Sequence, residues 1–139
     1  MKLKDRVAVI TGSASGIGRA SALEFAKEGA KVVVADINLS GARETVRQIE
    51  SVAGVAVPVE TDVSVPDSVE ALVEKTIQSF GHVHVLFNNA AIQVNKTAED
   101  TTFEEWNREI GVNLGGVFLC SKFFLPHLRQ SKGCIVNMA

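Results

Sequence analysis

The sequence has no tyrosine and is poor in cysteine, proline and aromatic residues, with two Cys, three Pro, seven Phe and one Trp among 139 residues. A reaction that needs a tyrosine as its acid or base therefore cannot run on this chain alone. Cys120 and Cys134 have apolar neighbours and no metal-ligand spacing, so we expect buried free thiols rather than a disulfide or a nucleophile. The three scattered histidines predict no metal site.

A charge of one sign and a long apolar run are also missing. The 14 basic and 16 acidic residues are interspersed and leave a net charge of -2, which argues against a surface for nucleic acid. The first apolar run, at residues 7–10, is too short for a signal peptide or a transmembrane helix. We therefore expect a cytoplasmic protein that binds neither nucleic acid nor a membrane.

Short apolar runs alternate with segments of helical periodicity along the whole chain. The runs lie at residues 7–10, 32–35, 55–59, 83–87 and 135–138. Unbroken runs of this length are typical of parallel strands that are covered on both faces. The alternation predicts a single α/β domain over residues 1–139, with a doubly wound parallel sheet between two layers of helices.

The spacing of apolar residues predicts helices at 17–28, 69–80 and 112–128. The first is amphipathic, as in a surface helix. The second has Ser64 as its expected N-cap and Pro66 in its first turn. The third is apolar on more than one face, which predicts a fully buried helix. Gly29, Gly54 and Gly81 follow helical stretches, and we expect each of them to end a helix with a positive φ.

A glycine-rich turn joins the first strand to the first helix, with the sequence Thr11-Gly12-Ser13-Ala14-Ser15-Gly16-Ile17-Gly18. Such a turn lets backbone N–H groups and the positive end of a helix approach a pyrophosphate closely, because glycine has no Cβ to collide with it. A tight turn without a ligand has the same composition. The position of this turn between a strand and a helix favours dinucleotide binding. The predicted contacts are Gly12, Ser15, Gly16, Ile17 and Gly18.

Asp36 ends the second predicted strand, eighteen residues after Gly18. Its carboxylate can accept hydrogen bonds from the adenosine ribose hydroxyls but would repel a 2′-phosphate. Neither Ile37, which follows the acid, nor Ser15 supplies a cation for such a phosphate. NAD is therefore predicted in preference to NADP, with Asp36 and Ile37 among the cofactor contacts. The alternative is that Asp36 is only a polar strand end that starts a turn.

These motifs resemble the short-chain dehydrogenases/reductases, whose first half carries a Thr-Gly-x-x-x-Gly-x-Gly turn. Further marks of that family follow in order, namely Asp62-Val63, Asn88-Asn89-Ala90 and Asn113-Leu114-x-Gly116-x-Phe118. The resemblance covers residues 4–139 and implies a Rossmann-type fold. It also implies that Asp62 and Val63 contact the adenine, that Asn89 and Ala90 lie beside the nicotinamide ribose, and that Asn113 is the catalytic asparagine.

The resemblance further implies an NAD-dependent oxidoreductase that transfers hydride between a small secondary alcohol or ketone and the nicotinamide, and a homo-oligomer in the full-length form. Ala91 departs from the family, which usually has glycine there. The family's catalytic Ser and Tyr-x-x-x-Lys lie beyond the fifth strand, so we expect a fold truncated after that strand. The alternative function is a catalytically incompetent form that only binds dinucleotide or pairs with a full-length partner.

Overall fold

The computed structural model describes every residue from Met1 to Ala139. Its strands are β1 (Val7–Thr11), β2 (Lys31–Asp36), β3 (Val55–Glu60), β4 (Val85–Asn88) and β5 (Cys134–Asn137). Its helices are α1 (Gly16–Lys27), α2 (Leu39–Glu50), α3 (Pro66–Phe80), α4 (Phe103–Ile110) and α5 (Gly116–Ser131), with a π-helical turn at Gly111–Gly115 between the last two. Strands and helices alternate along the chain, as the apolar pattern predicts.

The five strands form one parallel sheet in the order β3-β2-β1-β4-β5. In the central strand, Val9 pairs with Val33 of β2 on one side and with Leu86 of β4 on the other. The chain moves outward from β1 to β3 and then crosses back to the other side of β1. The strand order therefore reverses between β1 and β4, and in such sheets a crevice opens beyond the carboxyl ends of the strands at that point.

Alternate residues of the central strands face two separate apolar cores, one on each side of the sheet. Ile10 and Val34 belong to the core that α1 and α2 cover. Val9 and Val33 belong to the other core, which α3 and α5 cover. The predicted three-layer arrangement of helices, sheet and helices is confirmed.

The start of α3 confirms one local prediction and corrects another. Pro66 lies in the first turn, as expected, but the residue at the N-cap is Val65 rather than Ser64. The Ser64 hydroxyl instead donates to Oδ1 of Asp62 at 2.6 Å, and the Ser64 backbone N–H donates to the same oxygen at 3.0 Å. Ser64 thus lies one residue before the N-cap, and its side chain bonds the loop before the helix rather than the helix itself.

Two of the three glycines expected to end helices have the predicted conformation. Gly29 and Gly81 have φ values of +91° and +77°. Gly54 does not have a positive φ, and the left-handed residue after α2 is Ala53, at +61°. A Cβ on Gly54 would lie 2.6 Å from Cγ2 of Ile49, so this glycine is explained by close packing rather than by its φ.

The segment at 112–128 was predicted as one fully buried helix, and this is wrong. It is a π-helical turn followed by α5, and only one of its faces is buried. Phe124 is fully buried, whereas Leu114 and Phe118 are 65% and 60% exposed. Cys134 was expected to be buried and is exposed, at the start of β5, a strand at the edge of the sheet with no fully buried residue. Apolar composition alone does not reveal whether another element covers a face.

Candidate functional site

The glycine-rich turn follows β1 at the carboxyl edge of the sheet, and its backbone packs against the segment that follows β4. Gly12 has a φ of +66°, and a Cβ on it would lie 2.7 Å from Cα of Ala90. A Cβ on Gly18 would lie 2.7 Å from Nδ2 of Asn89. Atoms this close cannot accommodate a methyl group, so both positions require glycine for the turn to keep its place.

Thr11 and Asn89 hold these two segments together through four hydrogen bonds. Oγ1 of Thr11 accepts the backbone N–H groups of Asn89 and Ala90, each at 3.0 Å. Nδ2 of Asn89 donates to the carbonyl oxygens of Thr11 at 3.0 Å and Gly12 at 3.2 Å. The ends of β1 and β4 thus form one rigid wall at the reversal of the strand order.

The N-terminus of α1 is open for a ligand. Ser15 occupies the N-cap without making a side-chain capping hydrogen bond. Gly16 has a φ of +54°, and a Cβ built on it would meet no protein atom within 4 Å. The first-turn N–H groups of a helix have no intrahelical partner, and together with the helix dipole they favour an anion. The space beside Gly16 and these donors fit the pyrophosphate of a dinucleotide.

Asp36 lies at the end of β2, next to the same turn. Its Oδ2 accepts the N–H of Ala14 and its Oδ1 accepts the N–H of Asn38, each at 2.9 Å. These bonds fix the orientation of the carboxylate and leave further lone pairs for ribose hydroxyls. Arg19 is the nearby cation on α1, but its guanidinium is bonded to the carbonyl oxygen of Ala14 and to Oγ1 of Thr45.

The end of β3 leads into a second part of the site at Asp62 and Val63. Oδ1 of Asp62 accepts two hydrogen bonds from Ser64, whereas its Oδ2 makes none. Val63 is 7% exposed, and a Cβ on Gly116 would lie only 2.6 Å from its Cγ2. The start of α5 thus packs directly on Val63 and fixes the position of this loop.

All these elements border one cleft of about 380 Å³. It is lined by every predicted cofactor contact, namely Gly12, Ser15, Gly16, Ile17, Gly18, Asp36, Ile37, Asp62, Val63, Asn89 and Ala90. The sequence analysis did not identify the other lining residues as contacts, namely Thr61, Ala91, Ile92, Arg108 and Val112. Val112 and Arg108 are one helical turn apart, a spacing that could have suggested a shared face once the helix was recognised.

The family model described as short chain dehydrogenase matches residues 6–139 of this protein. The chain belongs to the short-chain dehydrogenase family. Over 141 residues it is 41% identical to meso-2,3-butanediol dehydrogenase of Serratia marcescens, an alignment that covers 100% of this chain and 55% of that protein. It is also 41% identical to cyclohexanol dehydrogenase of an Acinetobacter species, with 99% of this chain and 56% of that protein covered.

A solved short-chain dehydrogenase from Burkholderia phymatum, in complex with NAD, has a TM-score of 0.95 and 35% identity to this chain. The match covers 100% of this chain and 50% of that one. This chain therefore spans about half the length of the short-chain dehydrogenases that it matches.

Asn113 of this protein lies within the π-helical turn, beside the cleft but not among the residues that line it. Its Oδ1 accepts the N–H of Ile92 at 2.9 Å, and its Nδ2 donates to the carbonyl oxygen of Ile92 at 2.8 Å. Asn113 and Ile92 also border a shallow depression next to the cleft. The amide side chain thus fixes the segment that follows β4 along the edge of the cleft.

His84 and Cys120, whose side chains could in principle transfer a proton or act as a nucleophile, do not line the cleft. His84 sits at the opposite edge of the sheet, where its Nδ1 accepts the N–H of Val7 at 3.0 Å. Burial lowers the pKa of His84, and the positive charge of Arg6 and the neighbouring His82 lower it further. Burial raises the pKa of the Cys120 thiol to about 12, so the thiol stays protonated near neutral pH.

No group of three or more His, Cys, Asp or Glu side chains is arranged to hold a metal ion. None of the helices combines the length and the apolarity that crossing a membrane requires.

Proposed function

We propose that this protein is an NAD-preferring oxidoreductase that transfers hydride between a secondary alcohol or ketone and the nicotinamide. The observation that supports the cofactor assignment is the oriented carboxylate of Asp36, held by the N–H groups of Ala14 and Asn38 beside an uncapped helix N-terminus. A carboxylate there favours ribose hydroxyls over a 2′-phosphate. Arg19, the nearby cation on α1, is bonded to the Ala14 carbonyl oxygen and to Oγ1 of Thr45, and it does not line the cleft.

The proposed contacts follow the order of the strands. The N–H groups at Gly16, Ile17 and Gly18 hold the pyrophosphate, and Asp36 holds the adenosine ribose. Ile37, Asp62 and Val63 border the adenine, with the free Oδ2 of Asp62 available to an amino donor. Asn89 and Ala90 border the nicotinamide ribose. Gly12 and Ser15 shape the turn itself.

Bound NAD would supply the hydride chemistry, and the proposed task of Asn113 is to position the edge of the cleft next to it. Both hydrogen-bonding groups of the Asn113 side chain are bonded to the backbone of Ile92, so we assign it a positioning role in the reaction. The alcohol or ketone class is supported by the names of two relatives, which refer to butanediol and cyclohexanol.

The cofactor preference is tested by titrating NAD and NADP separately into the full-length protein and its Asp36→Asn variant. Asparagine keeps the size of the side chain and one acceptor oxygen but removes the charge. We expect the wild type to bind NAD more tightly than NADP. In the variant, the ratio of the two affinities should fall by about ten- to hundredfold, which corresponds to the loss of one hydrogen bond to a charged group. Asp67→Asn is the matched control, because Asp67 is an exposed acid in the first turn of α3 outside the cleft.

Equal binding of NAD and NADP by the wild type would reject the preference. An Asp36→Asn variant with the wild-type ratio of affinities would reject the role of this carboxylate. The oxidoreductase assignment is tested by NADH formation with butane-2,3-diol or cyclohexanol, and absence of turnover with secondary alcohols as a class would overturn it.

We also propose that the full-length protein associates with a second copy of itself through α4, the π-helical turn and α5. Five large apolar residues repeat there every three or four positions and form an exposed stripe. They are Phe103, Trp106, Ile110, Leu114 and Phe118, with exposures of 77%, 55%, 39%, 65% and 60%. A contiguous apolar stripe of this kind is typical of a protein interface. A second copy presents an identical stripe, which makes the surface suitable for a symmetric contact.

A further inference from the structure

Arg108 is the one cation among the residues that line the cleft, in which the other charged residues are Asp36 and Asp62. It lies on α4, is exposed, and takes part in none of the four ion pairs of the structure. Its guanidinium also makes no hydrogen bond to another residue, unlike that of Arg19, which is bonded to the Ala14 carbonyl and to Thr45. The cationic group of Arg108 is therefore free to contact a ligand.

Arg108 lies at the end of the cleft that is lined by Val63 and Val112. Val112 is four residues further along, one helical turn away, and both side chains line the cleft. Val112 and Val63 are each 7% exposed and belong to the same apolar core. Arg108 is thus one helical turn before a residue that packs with Val63, on the side of the sheet that α3 and α5 cover and across the sheet from α1 and α2.

The chemistry expected at this end of the cleft rests on the proposed function. With the pyrophosphate at the turn after β1 and the ribose at Asp36 after β2, the next group outward is the base, near the end of β3. Val63 and Val112 supply apolar contacts for an aromatic ring there. A planar guanidinium is weakly hydrated and stacks on aromatic rings, and an exposed arginine needs little desolvation to do so.

We propose that the guanidinium of Arg108 packs on the adenine ring and determines the affinity for the adenosine half of the cofactor. The other charge-based role, holding a 2′-phosphate, is disfavoured because Asp36 occupies the ribose position from the opposite layer. Arg108 is then an affinity-determining contact that does not take part in hydride transfer.

The test uses calorimetric titration of the full-length protein with NAD, NADP and ADP-ribose, which retains the adenosine half and lacks the nicotinamide. We expect Arg108→Ala to weaken NAD and ADP-ribose binding by the same factor, about five- to thirtyfold, as for a partly desolvated cation–π contact. Arg108→Lys keeps the positive charge but loses the planar guanidinium, so its affinity for NAD and ADP-ribose should be closer to that of the alanine variant than to that of the wild type. Arg43→Ala is the control, since Arg43 is an exposed arginine of α2 outside the cleft.

Each other outcome overturns the proposal in a distinct way. Unchanged ADP-ribose binding by Arg108→Ala would remove Arg108 from the adenosine site, and full rescue by lysine would show that charge rather than stacking matters. A loss confined to NADP would identify a phosphate contact instead. Failure of the wild type to bind any of the three ligands would reject the proposed function itself. A wild type that binds, together with an Arg108→Ala variant that binds equally well, would reject only the role of Arg108.

Discussion

Gly16 and Gly81 form a matched pair of residues that can separate stability from ligand binding. Both have a positive φ, +54° and +77°, and a Cβ on either would meet no protein atom within 4 Å. Only Gly16 lines the cleft. We expect Gly16→Ala and Gly81→Ala each to lower the free energy of unfolding by about 1–2 kcal/mol, the cost of a left-handed backbone for a residue with a Cβ.

Binding should distinguish the two variants. In Gly16→Ala the new methyl group points into space that we assign to the pyrophosphate, so NAD affinity should fall by about tenfold or more, as when a hydrogen bond to a charged group is lost. Gly81→Ala should bind NAD as the wild type does. Denaturant unfolding and calorimetric titration measure the two effects, and wild-type NAD affinity in Gly16→Ala would exclude the pyrophosphate from this turn.

His84 makes the stability of the fold depend on pH. Burial lowers its pKa, and Arg6 and His82 lower it further, from an ordinary value of 6.5. The unfolded chain therefore binds a proton more readily than the folded one. The contribution of neutral His84 to stability is complete above about pH 6.5 and is lost as the pH falls from there towards the lower folded pKa. Protonation also removes the lone pair with which Nδ1 accepts the Val7 N–H.

Denaturant unfolding at several pH values between 5 and 8 measures this dependence. We expect His84→Asn to have a smaller loss of stability on acidification than the wild type, whatever its stability at neutral pH. His127→Asn is the control, since His127 lies on α5, away from β1. An unchanged pH slope in His84→Asn would show that this histidine does not cause the dependence.

Most residues of the cleft could be predicted from the sequence because backbone geometry defines their places. A glycine-rich turn, a strand-ending acid and an Asn-Asn-Ala segment occupy fixed positions at the carboxyl ends of parallel strands. Arg108 and Val112 could not be predicted in this way. Val112 reaches the cleft because it packs in the same apolar core as Val63, and Arg108 lies one helical turn before Val112, so both positions depend on contacts between distant parts of the chain.

At the scale of elements, α4 shows a signal that the apolar periodicity does not contain. Thr102 accepts the N–H of Glu105 at 3.1 Å, and the Glu105 carboxylate accepts the N–H of Thr102 at 3.0 Å. This capping box, Thr-x-x-Glu, is visible in the sequence and marks the start of a helix. The π-helical turn has no comparable signal, because it is one of the rare local irregularities that tertiary packing imposes on a helix.

The contact between the π-helical turn and the segment after β4 leads to a prediction for Asn113→Asp. An aspartate can still accept the Ile92 N–H, but its carboxylate would face the Ile92 carbonyl oxygen, to which Asn113 now donates at 2.8 Å. We expect faster amide exchange at Ile92 and the residues near it, with about 0.5–1.5 kcal/mol less protection, the net contribution of a typical hydrogen bond, because the bond that is lost is exposed. Asn107→Asp, on exposed α4, is the control.

Hydrogen exchange followed by mass spectrometry or NMR measures this protection directly. A merely destabilised fold would lose protection throughout the sheet, including β1 and β2. Loss confined to the segment after β4 supports the positioning role of Asn113, whereas unchanged protection of Ile92 would contradict it.

At the scale of the whole molecule, the topology explains why residues far apart in sequence form one cleft. The order β3-β2-β1-β4-β5 brings the carboxyl ends of β1, β2, β3 and β4 to one edge, and the reversal between β1 and β4 opens the crevice there. The alternating pattern in the sequence was sufficient to predict this architecture. The apolar composition of α5 does not by itself show which of its faces is covered, because that depends on what packs against the helix.

The exposed stripe gives the final prediction, which concerns association of the full-length protein. Replacing Leu114 and Phe118 by glutamate puts two carboxylates where we propose that apolar side chains of two copies meet. Burying unpaired charge is strongly unfavourable, and truncating one of the few dominant residues of an interface costs about 2 kcal/mol or more. We expect the double variant to have the mass of a smaller assembly in light scattering at concentrations where the wild type is associated.

Val52→Glu is the control for added charge, since Val52 is 59% exposed after α2 and lies outside the stripe. Neither Leu114 nor Phe118 lines the cleft, so the dispersed variant should still bind NAD if its own fold is intact. Retained binding together with a lower mass would assign the stripe to association alone. A wild type that is monomeric at high concentration, or a double variant with unchanged mass, would contradict the proposed contact, because the apolar repeat along α4 and α5 would then have no second copy to cover it.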